Sequence, residues 1–270
     1  MNSLRPSIID THAHVFHREL PFIESRRFTP SYDAAFEAFM GQLDIHQIER
    51  AVLIAVSILG NDNRYLVESL QRAEGRLRGV VAIDPETDFR LLQGYADAGL
   101  VGIRVNLTGG LAVPDFSSFA WQRVLDFCRA HEWHIEINDR CIRLAESVLP
   151  LIHDGVRVVI DHFGMPDKVL GTYDPGFQQL LSFASSGRVW VKMSGAYRTS
   201  TDIALRAAPM LLNTFGAQRL MWASDWPFTQ FESSQQYAMQ LAQLERWLPN
   251  AADRQKVLWD TPAELFQFDR

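Results

Sequence analysis

The stretch Ile8-Ile9-Asp10-Thr11-His12-Ala13-His14 runs an apolar strand entry straight into two histidines spaced by one residue. In a strand, residues two apart share a face, so Asp10, His12 and His14 are expected to line up, with both imidazoles close enough to act on one atom. That is the geometry of a metal chelate or an electrophilic clamp. Alone, a His-x-His near a terminus is more often a solvent-facing strand than a site. Three later strand-like runs supply the company it needs: Arg104 and Asn106 end VGIRVN, His162 follows RVVID, and Asp225 lies in RLMWASDWP. Polar chemistry collected at strand exits is a barrel signature.

Outward from that segment, eight runs rich in aliphatic and β-branched residues recur: SIIDTHAH, AVLIAVS, LRGVVAID, VGIRVNL, WHIEIND, VRVVIDHFG, VWVKMSG and RLMWASDWP. Stretches of helical spacing lie between them, such as NRYLVESLQRAEG and RLAESVLPLIHDG. Gly75, Gly99, Gly155, Gly187 and Gly216 follow helical runs where a left-handed cap would sit. Near-continuous apolar strands suit a sheet covered on both faces. The pattern predicts an α/β fold, a (β/α)8 TIM barrel, as a single domain over residues 1–270. A doubly wound open sheet competes, but no GxGxxG or P-loop opens a first strand–helix turn. The connection Val15 to Pro30 is expected to hang over the mouth. The final run VLWDTPAELFQF is expected to bury Leu258, Leu265 and Phe266 and to close the barrel bottom or side.

Composition narrows the partners. The 270 residues are 47% hydrophobic, with a formal net charge of −6. This leaves no broad basic surface for nucleic acid or anionic lipid. MNSLRPSIID has no signal-peptide core and AVLIAVSIL is too short to span a bilayer, so a cytoplasmic location is expected. Cys128 and Cys141 lack CxxC spacing and read as ordinary thiols.

His162 and Asp225 can converge with His12 and His14. A buried aspartate among imidazoles is, by itself, as consistent with an ion pair as with catalysis. The barrel frame favours catalysis. Arg104 and Asn106 share a face of the fourth strand, and an inward Arg104 needs a ligand carboxylate or an acidic partner such as Glu136. Lys192 and Ser194 share a face of the seventh strand, with Arg198 just beyond; Lys192 reads first as a structural group. Asn138 follows His134 and Glu136 on one face, Ser57 ends the second strand, and Arg26 and Arg27 lie in the first long loop. His134 is expected at the barrel bottom or surface. His17, His46, His131 and His153 are expected on the surface, with only His17 near the mouth. GxSxG and HExxH motifs are absent.

The segments IDTHAHVF, RRFTPSYDA, LGNDNRYL, GIRVNL, VVIDHFGMPD, VWVKMSGAYR, RLMWASDWPFTQ and LWDTPAELF span nearly the whole chain. Together they resemble the amidohydrolase-related barrel hydrolases, in the branch holding 2-pyrone-4,6-dicarboxylate hydrolase and sugar-lactone hydrolases. The resemblance implies opening of a small anionic lactone, with His12, His14 and His162 around the scissile carbonyl oxygen and Asp225 handling the water. It also implies that Arg104 and Arg198 grip substrate oxygens, and Asn106, Ser57, Asn138 and Arg27 are expected to line the same pocket. The pattern's second arginine, six positions after the first, is Gly110 here, its loop tyrosine is Phe28, and the polar residue after Trp-Pro is Phe228. These exchanges suit a smaller or less acidic lactone. The branch works without an obligatory metal, so no cofactor is expected. The alternative is a zinc or manganese ion on His12, His14 and Asp225, with His162 as a further ligand, in a metal-dependent amidohydrolase or a non-oxidative decarboxylase of a small organic acid. A third reading is a non-catalytic barrel that binds a small acid. A basic Asp225 must be ionised, so activity is expected to fall at acid pH as it protonates.

Overall fold

Strands short enough to be spanned by one buried face alternate with amphipathic helices, and the chain closes on itself. The computed structural model describes residues 7–268. The opening MNSLRP and the outer ends of the expected 1–270 domain therefore lie outside the described residues. The strands are β1 (Ile9–Ala13), β2 (Arg50–Ile54), β3 (Leu77–Val81), β4 (Leu100–Asn106), β5 (His134–Asn138), β6 (Arg157–Ile160), β7 (Val189–Met193) and β8 (Leu220–Trp222). All neighbours pair in parallel, in sequence order, in one eight-stranded sheet. The TIM barrel expected from the alternation is present. Each of the five glycines read as helix stops has a positive φ.

Closure between the chain ends uses few bonds, all near the strand exits. The Asp225 amide donates to the His12 carbonyl and the His14 amide to the Trp226 carbonyl, both at 2.9 Å. Thr11 Oγ1 adds a bond to the Trp222 carbonyl at 2.8 Å.

The barrel interior is layered. At the bottom, Ile9, Val52, Ile54, Val80, Val101, Val159 and Met221 form an apolar plug with Leu265, Phe266 and Phe268. The C-terminal run thus closes the bottom, as expected, although a π-type turn at Lys256–Asp260 interrupts its helix. Leu258 packs instead in the larger core between sheet and helices. His134 lies at the bottom, edge-on to Phe266 at 5.2 Å, and Gly102 gives it room: a Cβ there would meet the imidazole at 2.5 Å. Among the described residues no helix is long and apolar enough to cross a membrane. Both cysteines are free and buried.

One expectation about β1 fails. A bulge between Asp10 and Ala13 inserts an extra residue, which breaks the two-residue alternation. Asp10 does not join the histidines. Its carboxylate accepts from the Ser224 amide at 2.8 Å, Ser224 Oγ at 2.5 Å and Tyr237 Oη at 2.7 Å, tying β1 to the chain beyond β8.

Candidate active site

Above the plug lies a fully buried ionic layer. Lys192 Nζ donates to Glu136 Oε2 at 2.5 Å and stands 3.6 Å from Asp161 Oδ1. His12 Nδ1 lies 3.2 Å from Asp161 Oδ1 and 3.3 Å from Glu136 Oε1. Burial alone would lower the His12 pKa, but Asp161 and Glu136 outweigh it, against Lys192, and the net shift is upward. Burial pushes Glu136 up, yet Lys192 and the imidazoles hold it well below the usual carboxylate range. Lys192 is thus the structural ion-paired group its sequence context suggested.

The layer also corrects the partner expected for Arg104. Glu136 is taken by Lys192, and the acid nearest Arg104 is Asp161, 3.7 Å from Nη2. Arg104 Nη1 donates to the Ala55 carbonyl at 2.8 Å, and its buried Nε has no hydrogen-bond partner. That Nε is a donor waiting for an acceptor.

At the next level the two β1 imidazoles meet, Nε2 to Nε2 at 3.3 Å. A carbonyl can only accept, so the 2.7 Å contact of His14 Nδ1 with the Ile54 carbonyl fixes the proton on Nδ1. Burial, then the charges of His12 and Arg104, hold His14 well below its ordinary pKa. It is therefore neutral with a bare Nε2, facing a His12 Nε2 that can donate. His162 lies 4.8 Å from His12, ring to ring, and its Nδ1 is 2.9 Å from Ser194 Oγ. Burial lowers it to about 4.

Asp225 is held from three directions. Arg198 grips it with Nε at 2.5 Å and Nη2 at 3.1 Å, and Tyr197 Oη donates at 2.7 Å. Burial would raise its pKa, but Arg198 and His162 hold it well below the usual carboxylate range. Protonation of Asp225 is thereby moved to strongly acid pH. Backbone strain accompanies the site: His162 has φ 51° and Asp225 φ 62°, left-handed values that non-glycine residues rarely adopt. Gly195 permits their approach, since a Cβ there would stand 2.8 Å from His162 Nδ1 and 2.9 Å from Asp225 Oδ2.

A cavity of about 320 Å³ opens above these groups. Its wall contains His14, Arg27, Ser57, Arg104, Asn106, Asn138, His162 and Arg198, the residues expected there. His12 and Asp225 are not in the wall; they are fully buried and touch it through His14, His162 and Arg198. Sequence reasoning missed Asp161, Tyr197 and Arg140, the last a further guanidinium in the wall. Asp161 and Tyr197 were each visible beside a chosen residue, His162 and Arg198. Among the described residues no carboxylate lines the cavity. Burial and the charges of Arg104 and Arg198 lower the Arg27 pKa, and no ionic or hydrogen-bonding partner offsets that crowding among the described residues. Gly110 faces open space outside the wall.

A family model described as Amidohydrolase matches residues 9–268. The 4-sulfomuconolactone hydrolase of Rhizobium radiobacter is 30% identical over 95% of this chain and 89% of its own. A crystal structure of a probable 2-pyrone-4,6-dicarboxylic acid hydrolase from Acinetobacter baumannii with citric acid bound superposes with a TM-score of 0.92, at 33% identity over 97% of this chain and 99% of that one. An amidohydrolase from Burkholderia multivorans with bound zinc shares the fold, with a TM-score of 0.78 at 21% identity over 97% of this chain and 99% of that one.

Ligand atoms of His12, His14 and Asp225, and of His12, Asp161 and His162, lie within 4.8 Å of one another. The imidazole pair suits a divalent ion. The carboxylates suit it poorly: Arg198 and Tyr197 already occupy Asp225, and the Lys192 ammonium supplies positive charge beside Asp161 and His12.

Proposed function

The chain belongs to the amidohydrolase family, and on that premise we propose that it is a lactonase that opens a small carboxylated lactone by adding water to the ring carbonyl. The observation that carries this reading is the cavity wall, where His14 and His162 stand among Arg27, Arg104, Arg140 and Arg198 with no carboxylate among the described residues. Such a wall attracts an anion and polarises a carbonyl.

Asp225 takes a proton from water while the water oxygen bonds to the carbonyl carbon. The ring C–O bond then breaks, and the released oxygen takes the proton that Asp225 accepted, which restores the carboxylate. Arg104, with its unpartnered Nε, and His162 face the developing oxyanion from the cavity wall, and each well-placed donor there contributes about 3 kcal/mol, while His14, protonated on Nδ1, and His12 buried behind it shape the wall. A carboxylate gripped twice by an arginine is a weak base. The substrate's own carboxylate, arriving among the guanidiniums, draws Arg198 away, which exposes Asp225 and restores its basicity. Ser57, Asn106 and Asn138 orient the ring.

This chemistry needs no metal, because charged side chains hold Asp225 and the ionic layer in place. Purified enzyme is expected to open pyrone, muconolactone or aldonolactone carboxylates equally well before and after chelation. Loss on chelation with recovery on zinc or manganese would establish the metal-dependent reading instead. Binding without turnover across the panel would leave a binding barrel.

The pH profile provides a second check. His162, lowered to about 4, stays neutral until then, and Asp225 ionises lower still. kcat/KM should hold from neutral pH down to about 5 and fall near pH 4 as His162 gains a proton. Between its ordinary value near 6.5 and 4 the unfolded chain binds the proton and the native one does not, so stability rises with pH across that window and is lost as the pH is lowered through it. An acid limb centred near 6 would contradict this.

A further inference from the structure

Beside the site cavity lies a second chamber of about 490 Å³ over the exits of β2, β3 and β4. The two share Arg27, Ser57, Arg104, Asn106, Thr108 and Gly109, so a ligand held by those groups reaches both. Their linings differ. The second is walled by Ile23, Ile83, Leu107, Leu111, Pro114 and Trp121. At the boundary stands Arg104, whose buried Nε has no partner. An anionic head bonded there leaves its far end against aliphatic and indole surface.

Resting on the lactonase reading, we infer that the substrate is a lactone carboxylate bearing a short alkyl or aryl arm, which this chamber binds. Burial of apolar area favours such an arm by about fourfold in affinity per methylene. The site cavity sets the chemistry, and the chamber selects among lactones by what hangs from the ring.

The test separates binding from turnover. Titrating the protein calorimetrically with n-alkanoates from butanoate to octanoate should give Kd falling about fourfold per added methylene. The variants Ala112→Trp, which fills the chamber, and Leu111→Asp, which charges its wall, should each flatten that series. Leu111 is 58% exposed, so its substitution does not disturb a packed core. With ring-substituted pyrone carboxylates, the propyl-to-hydrogen ratio of kcat/KM should be roughly 60-fold in the native protein and near one in both variants. A flat alkanoate series in the native protein, or an unchanged slope in both variants, overturns the inference. A steep series without turnover of any lactone upholds the chamber and removes the lactonase reading.

Discussion

Asp225→Asn is expected to lower kcat/KM by about 10²–10⁴-fold, the range for loss of a general base, with far-ultraviolet circular dichroism unchanged. An amide cannot take the water proton, yet it has nearly the same shape and still accepts from Arg198 and Tyr197, which now hold the carboxylate. The left-handed φ of 62° is also tolerated by asparagine. The ring-opened product should therefore still bind, since its carboxylates meet guanidiniums that the substitution leaves untouched. Steady-state kinetics together with product titration distinguishes loss of the base from loss of the pocket. Turnover within tenfold of the native enzyme would remove Asp225 from its assigned role.

Lys192→Met should cost about 3–5 kcal/mol of stability, the usual result of deleting one partner from a buried ion pair. The ammonium is fully buried and reaches Glu136, Asp161 and His12 at once. Without it, two carboxylates are left beneath the site with His12, Arg104 and the more distant Arg198 as the nearby positive charge among the described residues. A loss of this size is a large part of the 5–15 kcal/mol typical of a native domain. Urea unfolding followed by tryptophan fluorescence measures it. A midpoint unchanged by the substitution would mean that the layer carries no net electrostatic dependence on Lys192.

Much of this arrangement was legible in the chain. Parallel strands covered on both faces leave uninterrupted aliphatic runs, so all eight β/α units could be counted, and polar residues at run ends pointed to the mouth. Where the reading stopped, the two-residue period had broken. The β1 bulge sends Asp10 to Ser224 and Tyr237, and no local composition announces a bulge. At the exit of β6, His162, Phe163, Gly164 and Met165 all have positive φ, which turns the backbone so that Asp161 and His162 both serve the site. Strict alternation would have sent them to opposite faces. The segment after β8 was also opaque, because its helices Tyr237–Ala242, Leu244–Trp247 and Ala251–Gln255 are too short to express a period.

The seam between β1 and β8 has a consequence for how the molecule comes into being. Its bonds join residues 211 apart in sequence, Thr11 to Trp222, among the least local contacts the chain makes. The same main-chain links set His12 and His14 against Asp225. A nascent or half-built chain can hold helices and several paired strands and still have no reactive centre, because the centre is created by the ring's completion. Competence for chemistry therefore requires that the two extremities of the polypeptide have met in register.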